Sequence, residues 1–259
     1  MNSIPLLTLL FIFLGAFTAG ALDAIVGGGG LIQLPVLMIG LKETPIASVL
    51  GTNKLSAIFG TSSAAITYAR RTKLDIRMAL TMALWAGVGS AIGAGIATLI
   101  PVAIYKPIIL FFLIMVGIYT VKNPNLGLME IHRHSRSRLI ALGSIIALVI
   151  GFYDGAVGPG TGSFLVFALV GLLGYEFLRA SAIAKVVNVA TNFAAIVVFG
   201  FNAHIIFALG LCMAAFNVLG ALVGSRLAIK GGSKLVRRFF LVVVALLIVR
   251  LTWDIFQIQ

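Results

Sequence analysis

Two decapeptides decide the fold of this chain: GALDAIVGGG at residues 20–29 and GFYDGAVGPG at residues 151–160. Each has an Asp followed by a Gly-rich segment, and 131 residues separate them in a chain of 259. The same shift, without gaps, aligns further identical residues: Leu34 with Leu165, Gly40 with Gly171, Leu41 with Leu172, Lys54 with Lys185, Gly89 with Gly220 and Gly93 with Gly224. The sequence is therefore a two-fold internal repeat, and each copy carries one Lys inside an otherwise apolar stretch.

The composition indicates an integral membrane protein built of helices. The chain is 61% hydrophobic and 10% charged, whereas soluble domains have about 25% charged residues. Its apolar stretches are long and continuous rather than alternating, which favours helices over a β-barrel. The formal net charge of +12 does not indicate nucleic-acid binding, because the basic residues lie in short loops between the apolar stretches.

The fold class predicted is an all-α integral membrane protein of about ten helical elements, arranged as two repeats of five. Their approximate bounds are 4–22, 27–41, 46–69, 76–99, 102–121, 138–154, 158–174, 178–200, 204–228 and 235–256. We expect the first element to be a membrane span rather than a cleaved signal, because no basic residue precedes Lys42. The second and seventh elements are short, Gly-rich and contain or follow a proline, which is typical of broken or re-entrant helices.

The distribution of basic residues predicts the orientation in the membrane. Clusters of Lys and Arg occur at residues 70–77, 122–138 and 226–238, and such loops face the cytoplasm. All three do so if each repeat crosses the membrane five times, so we favour five crossings per repeat, with both termini outside. An odd number of crossings makes the two repeats antiparallel, that is, inverted. Re-entrant hairpins in both repeats would instead restore a parallel arrangement.

The chain is expected to form one membrane domain in two halves. Residues 1–121 form the first transmembrane repeat, residues 122–137 a basic cytoplasmic linker, and residues 138–259 the second repeat. We interpret the linker, with His132 and His134, as a solvated loop, because a metal site would need more ligands nearby. Cys212 is the only cysteine and supplies neither a disulfide nor a metal framework. No cofactor is expected.

The Gly-rich breaks are the first candidate for a binding site. Each Gly costs a regular helix about 1 kcal/mol relative to Ala, so the chain can open there and expose N–H groups at the start of the following half-helix. Such N–H groups, with the positive end of the helix, favour an anion. The alternative is close helix packing by small residues. The candidates are Gly28, Gly29 and Gly30 at the first break and Gly160, Thr161 and Gly162 at the second.

Lys54 and Lys185 are the second candidate because each lies near the middle of a long apolar span. A charge at that depth costs at least about 2.5–3.5 kcal/mol, so such residues are functional or paired. Two facing lysines repel each other unless an anion lies between them, and the alternative is a structural pair with an aspartate. Polar residues accompany the lysines on the same helices and are further candidates: Thr52 and Asn53 in the first copy and Asn188 in the second.

Asp23 and Asp154 occupy matching positions before the two breaks. Each could cap the following half-helix, pair with a lysine, or titrate as a proton-coupling group. The sequence leaves these three roles open.

The quoted motifs resemble those of the sulfite exporter TauE/SafE family, also called the toluene sulfonate uptake permease family. The resemblance rests on residues 20–30, on the Gly-Thr-Asn-Lys segment at residues 51–54, and on residues 151–162. It covers nearly the whole chain, including the duplication. It implies an inner-membrane transporter of sulfur-containing anions, with sulfite, sulfonates and sulfoacetate among the substrates assigned to the family.

The sequence therefore predicts a secondary transporter that moves a small sulfur-containing anion across the cytoplasmic membrane by alternating access. No Walker-type phosphate loop is present, so we do not expect direct use of ATP. An anion channel is the main alternative. An intramembrane enzyme using Lys54 and Ser56 is a weaker one, because residues two apart point to different helix faces. The expected partners are the anion and the lipid bilayer, with protons and a homo-oligomer left open.

Overall fold

The computed structural model describes residues 5–41, 43–99, 114, 118, 121–122, 127–130, 135–202 and 204–256. Every regular element in these ranges is helical. The α-helices are α1 (Leu6–Val26), α2 (Gly30–Gly40), α3 (Ile46–Arg71), α4 (Ile76–Ile96), α5 (Arg136–Ala156), α6 (Thr161–Gly171), α7 (Phe177–Phe201) and α8 (Phe207–Phe256), and a short 3-10 helix, Ala97–Leu99, follows α4. The prediction of an all-helical protein is confirmed for this part of the chain.

The helix bounds repeat along the chain as the sequence does. A shift of 131 residues carries Gly30–Gly40 onto Thr161–Gly171, and it carries the start of α4 onto the start of α8. The two last predicted elements correspond to two helices that together make up α8 and are separated by a kink at Gly232, where φ is 63° and ψ is −169°. The element predicted at 102–121 falls almost entirely outside the described residues, as do His132 and His134.

Among the described residues, five helices are long and apolar enough to cross a membrane: α1, α4, α5, α7 and α8. Helix α3 has 26 residues but is more polar, since it carries Lys54 and its neighbours. The short helices α2 and α6 have 11 residues each, which corresponds to about 16 Å. A bilayer core is about 30 Å thick, so their length does not support the prediction that each crosses as a complete span.

Helix α2 turns back along α1 instead of continuing it. The Cα of Gly40 faces Ile12 near the start of α1, and Val36 packs against Gly15. The turn is possible because Gly27 ends α1 in the left-handed conformation, with φ of 80°, and its N–H donates to the carbonyl of Asp23. A residue with a side chain rarely adopts this conformation.

The halves are interlocked rather than side by side. Helix α1 packs along α8 of the second half, and the equivalent helix α5 packs along α4 of the first half. Helices α3 and α7 are also in contact, and each packs against the fourth helix of the other half. Small residues allow this close packing: a side chain on Gly220 would overlap the carbonyl oxygen of Phe17, and one on Gly89 would overlap that of Leu148.

Helices α3 and α7 are equivalent in the repeat and run in opposite directions. Near the start of α3, Gly51 lies against the carbonyl oxygen of His204, just beyond the end of α7. Just beyond the end of α3, the carbonyl oxygen of Lys73 accepts a 2.7 Å hydrogen bond from Arg179, close to the start of α7. The two contacts therefore join opposite ends of the two helices.

A polar cluster joins the halves next to that second contact. Arg136 at the start of α5 donates a 2.7 Å hydrogen bond to Asp75, and the hydroxyl of Tyr175 donates another of 2.8 Å. The hydrogen bond from Arg136 holds the pKa of Asp75 well below its usual range, and burial raises the pKa of Tyr175. The starts of α4, α5 and α7 thus meet at one end of the molecule.

The helix crossing between α4 and α5 gives a matched test of the fold. We expect Gly93→Ala to lower the stability by about 1–3 kcal/mol, because the new Cβ would overlap the carbonyl oxygen of Phe152. Gly95→Ala, two residues away, meets no atom within 4 Å and should be neutral or slightly stabilising. Thermal unfolding of the detergent-solubilised variants measures the difference. Equal melting temperatures for the two variants would contradict this helix crossing.

Candidate functional site

The two Gly-rich breaks meet near the contact of the two halves. The N–H of Ser163 donates to the carbonyl oxygen of Gly27 at 3.1 Å, and its hydroxyl donates to that of Val26 at 3.0 Å. A Cβ on Gly27 would overlap the backbone of Gly162. Glycine is therefore required for the approach of the two backbones, and the small-residue packing considered from the sequence does occur here.

Both lysines form ion pairs, and both pairs join the two halves. Lys54 Nζ lies 2.6 Å from Asp154 Oδ2, and Lys185 Nζ lies 3.0 Å from Asp23 Oδ2. The internal repeat relates one pair to the other, since each lysine of one half contacts the aspartate of the other half. Of the three roles left open for Asp23 and Asp154, the one observed in the structure is pairing with a lysine. Neither α2 nor α6 has a side-chain hydrogen bond at its N-cap.

The two ion pairs differ in their surroundings. Lys54 lines a small cavity, whereas the side chain of Lys185 has an exposed fraction of 0% and is not part of the cavity wall. Asp23 Oδ2 also accepts a 3.2 Å hydrogen bond from Thr61. Both residues of the Lys54–Asp154 pair therefore line the cavity. Of the Lys185–Asp23 pair, only Asp23 does so.

The cavity has a volume of about 40 Å³ and is bounded by both breaks and both halves. Its glycines belong to the two breaks and to the starts of the two half-helices: Gly27, Gly29, Gly30, Gly158, Gly160 and Gly162. Its side chains are nearly all polar: Asp23, Gln33, Asn53, Lys54, Ala57, Thr61, Asp154, Thr161, Asn188, Asn192 and Asn217. Such a wall is unlike the apolar surroundings of a packed helix bundle, and it can hold a polar ligand.

Most of the residues predicted from the sequence lie in this wall. They are Asp23, Gly29, Gly30, Asn53, Lys54, Asp154, Gly160, Thr161, Gly162 and Asn188. Gly28, Thr52 and Lys185 are not part of it. The hydroxyl of Thr52 donates to the carbonyl oxygen of Ser48 at 2.6 Å and accepts from the N–H of Ile206 at 3.0 Å, so it joins α3 to the start of α8.

Four polar side chains of the wall are not among the candidate residues named from the sequence: Gln33, Thr61, Asn192 and Asn217. Gln33 is the only side chain of α2 with a hydrogen-bonding group, and Asn217 interrupts the apolar run of α8. Polar residues within membrane helices are candidates for function on that ground alone. Thr61 could have been found through the repeat, because it is the equivalent of Asn192.

The site offers both neutralised charge and free hydrogen-bonding groups. Its two cations are matched by two carboxylates, so the four charges cancel. Within the described residues, three buried amide atoms of the wall have no hydrogen-bond partner: Gln33 Nε2, Asn53 Oδ1 and Asn188 Oδ1. The first N–H groups of a helix have no partner within it, and no side chain caps α2 or α6. The donors among them, Gln33 Nε2–H and backbone N–H groups, could bind oxygen atoms of a ligand, whereas the two free amide oxygens can only accept hydrogen bonds.

The described residues hold no group of three or more His, Cys, Asp or Glu side chains that could bind a metal ion. Ser56 Oγ is buried and has no hydrogen-bond partner in this part of the chain, while the ammonium group of Lys54 contacts Asp154. The Lys54 and Ser56 pair considered from the sequence is therefore not joined by a hydrogen bond.

Fold and site together define a class: a multi-pass membrane protein with a polar site enclosed between two interlocked repeats. Residues 12–251 match the family model described as Sulfite exporter TauE/SafE. The chain belongs to this family of membrane transporters, as the motifs in its sequence predicted.

Three bacterial relatives are similar over nearly their whole length. A protein of a Sinorhizobium species, named probable membrane transporter protein ORF9, is 39% identical over 98% of this chain and 96% of that protein. A probable membrane transporter protein of Haemophilus influenzae is 36% identical over 97% and 96%. The probable membrane transporter protein YfcA of Escherichia coli is 35% identical over 94% and 89%. No solved structure is significantly similar to the chain.

The two ion pairs between the halves predict how removal of one or both charges changes the free energy of unfolding. We expect Lys185→Met to lower the stability by about 3–5 kcal/mol, because it leaves the Asp23 carboxylate without its cation. The double variant Lys185→Met with Asp23→Asn removes both charges and should recover most of that loss. Thermal unfolding of the two single variants and the double variant forms the cycle. Additive effects of the two substitutions would contradict the pairing of Lys185 with Asp23.

Proposed function

We propose that the protein is a secondary transporter that moves a small sulfur-containing anion across the cytoplasmic membrane by alternating access. The observation that carries the proposal is the polar cavity between the two breaks, with Lys54 and the unpartnered Gln33 Nε2–H in its wall. Membership of the TauE/SafE family and the names of the relatives support transport.

The groups proposed to bind the anion come from both halves. Lys54 supplies the positive charge, and Asn53 and Asn188 supply amide groups. The N–H groups at the starts of α2 and α6, around Gly28–Gly30 and Gly160–Gly162, donate hydrogen bonds to its oxygen atoms, assisted by the positive helix ends. Lys185 acts through Asp23, because its own ammonium group does not reach the cavity wall.

Asp154 is proposed to be an internal counter-ion that the substrate replaces. In the structure its carboxylate lies where an anion would contact Lys54. An arriving anion must compete with this carboxylate, and a proton on Asp154 would remove the competitor and leave Lys54 with a net charge. Entry of the anion together with a proton keeps the site electrically balanced. Asp23, which faces the same cavity, is the second candidate for proton coupling.

The interlocked repeats are proposed to supply the movement. The opposite directions of α3 and α7 support an inverted arrangement of the halves 1–121 and 138–259. With the basic linker 122–137 in the cytoplasm, both termini then lie outside. Inverted repeats can exchange conformations, so that the central site opens to one side and then to the other. The halves would move about the crossing of the two breaks.

The size of the cavity agrees with a small ligand. A water molecule needs about 10–15 Å³ of such space, so about 40 Å³ corresponds to about three waters. A compact oxyanion with few atoms comes closest to this volume. A longer sulfonate would require the halves to separate further.

Two variants test the proposed site, and the second of them leaves no buried charge unpaired. We expect purified wild-type protein to be stabilised by one of sulfite, sulfoacetate, taurine and sulfate. Asp154→Asn should bind that anion about tenfold more tightly, because Lys54 no longer has a competing carboxylate. Adding Lys54→Met to Asp154→Asn restores neutrality and should abolish binding. Titration calorimetry gives the dissociation constants.

Thermal unfolding serves as the control, because all three proteins must be folded for the comparison. Equal affinity of wild-type protein and the neutral double variant would move the site away from Lys54. No binding of any of the four anions by folded wild-type protein would reject this substrate class.

Transport itself is tested in proteoliposomes loaded with the anion that binds. A carrier should show saturable uptake that speeds up when unlabelled anion is present on the opposite side, because the loaded site returns by exchange. Asp154→Asn should still exchange the anion but should not concentrate it when a pH gradient is imposed. Flux that does not saturate and shows no exchange would indicate a channel instead.

A further inference from the structure

Among the described residues, the side-chain amide of Gln33 has a hydrogen-bond partner at its oxygen but none at its nitrogen. Gln33 has an exposed fraction of 1% and lies in α2, three residues after the helix begins. Its Oε1 accepts a 2.7 Å hydrogen bond from Asn217 Nδ2. Its Nε2 is buried and has no hydrogen-bond partner among the described residues. Because Gln33 lines the central cavity, an occupant of the cavity could supply the missing acceptor.

The hydrogen bonds of Asn217 identify which end of the Gln33 amide is free. Nitrogen and oxygen of an amide are assigned from their partners. Asn217 Nδ2 donates to two acceptors, the carbonyl oxygen of Ala16 at 3.2 Å and Gln33 Oε1. Since a backbone carbonyl can only accept, the Asn217 atom beside it must be the nitrogen. The Gln33 atom beside that nitrogen is then the oxygen, and the free group is a donor.

Asn217 is itself fixed by two close helix contacts. A Cβ on Gly60 of α3 would overlap Asn217 Oδ1, and one on Gly20 of α1 would overlap the carbonyl oxygen of Asn217. The asparagine is therefore enclosed between α1 and α3, with its amide directed at Gln33. A side chain whose support is locked in this way is preorganised for binding.

The internal repeat does not duplicate this pair of residues, of which Gln33 belongs to the first half and Asn217 to the second. The repeat places Phe164 at the position equivalent to Gln33, and Ala86 of the first half is the equivalent of Asn217. The ring of Phe164 packs edge-on against Tyr153, with 5.5 Å between the centroids. The scaffold is thus symmetric, but the first half alone presents this donor to the cavity. A ligand bound there meets two different sides.

We propose that Gln33 is a specificity-determining residue of the anion site, and that Asn217 is its positioning residue. Gln33 donates Nε2–H to an oxygen of the bound anion on the side of the first half, while Lys54 neutralises the charge. The inference rests on the proposed function. It adds that the ligand is an oxyanion bound in one orientation. The reason is that a single fixed N–H donor requires an oxygen acceptor at one position in the cavity.

The test measures anion affinity in variants of this pair. The probe is the anion among sulfite, sulfoacetate, taurine and sulfate that wild-type protein binds most tightly. We expect Gln33→Met, which keeps the length of the side chain but removes the donor, to raise the dissociation constant about tenfold or more. Asn217→Ala should raise it less, and it should have no further effect when combined with Gln33→Met, because Asn217 acts through Gln33.

Phe164→Met is the matched control, because it changes the equivalent position of the second half outside the cavity wall. Its dissociation constant should remain that of wild-type protein. If Gln33→Met does not fold, Gln33→Glu replaces it. The carboxylate still accepts from Asn217, but it repels the anion, so binding should be lost altogether.

Three results would overturn the inference. Wild-type affinity in the folded Gln33→Met or Gln33→Glu variant would remove Gln33 from the site. The proposed function would still stand in that case if the neutral Lys54→Met and Asp154→Asn double variant had lost binding. Additive effects of Gln33→Met and Asn217→Ala would remove the positioning role of Asn217. No binding of any anion by wild-type protein would overturn the proposed function first, and this inference with it.

Discussion

The pairing of Lys54 with Asp154, and of Lys185 with Asp23, is the constraint on which the rest of the structure depends. A charged lysine within a membrane helix carries a large free-energy cost unless a partner neutralises its charge. Here each half supplies a lysine and an aspartate, but neither half pairs its own. The charges are balanced only when the halves come together, so the interlocked packing of α1 with α8 and of α5 with α4 follows the same exchange.

The Gly-rich breaks make that exchange geometrically possible. Carboxylate and ammonium groups of different halves can meet only if the backbones between them approach closely. Gly27 and Gly162 permit such contact, at the cost of two interrupted helices whose second parts have 11 residues each. Among the first N–H groups of α2 and α6, those of Leu31, Ile32, Gln33, Ser163 and Phe164 donate to backbone carbonyl oxygens. The N–H groups of Gly30, Thr161 and Gly162 are then the candidate donors. One feature therefore allows the ion pairs to form and provides the donors of the proposed site.

Symmetry of the scaffold and asymmetry of the cavity serve different needs. Two equivalent halves allow an exchange between two equivalent conformations, which alternating access requires. A ligand with distinguishable sides is better held by unequal walls. The wall has Gln33 and Asn53 on one side, where the repeat has Phe164 and Ala184 on the other. The ion pairs differ as well, because Lys54 faces the cavity and Lys185 does not.

The sequence by itself determined the class of protein, the two-fold repeat, the bounds of most helices and the family. This was possible because hydropathy and glycine spacing are local properties that can be read from the sequence without a structure. It also marked Lys54, Lys185, Asp23 and Asp154 as unusual, since a charge inside an apolar run is visible without a structure. Only the tertiary structure decided which aspartate meets which lysine, that α2 turns back along α1, and that Gln33 and Asn217 face each other across 184 residues of chain. Those contacts depend on how distant helices pack, and no local pattern in the sequence specifies that packing.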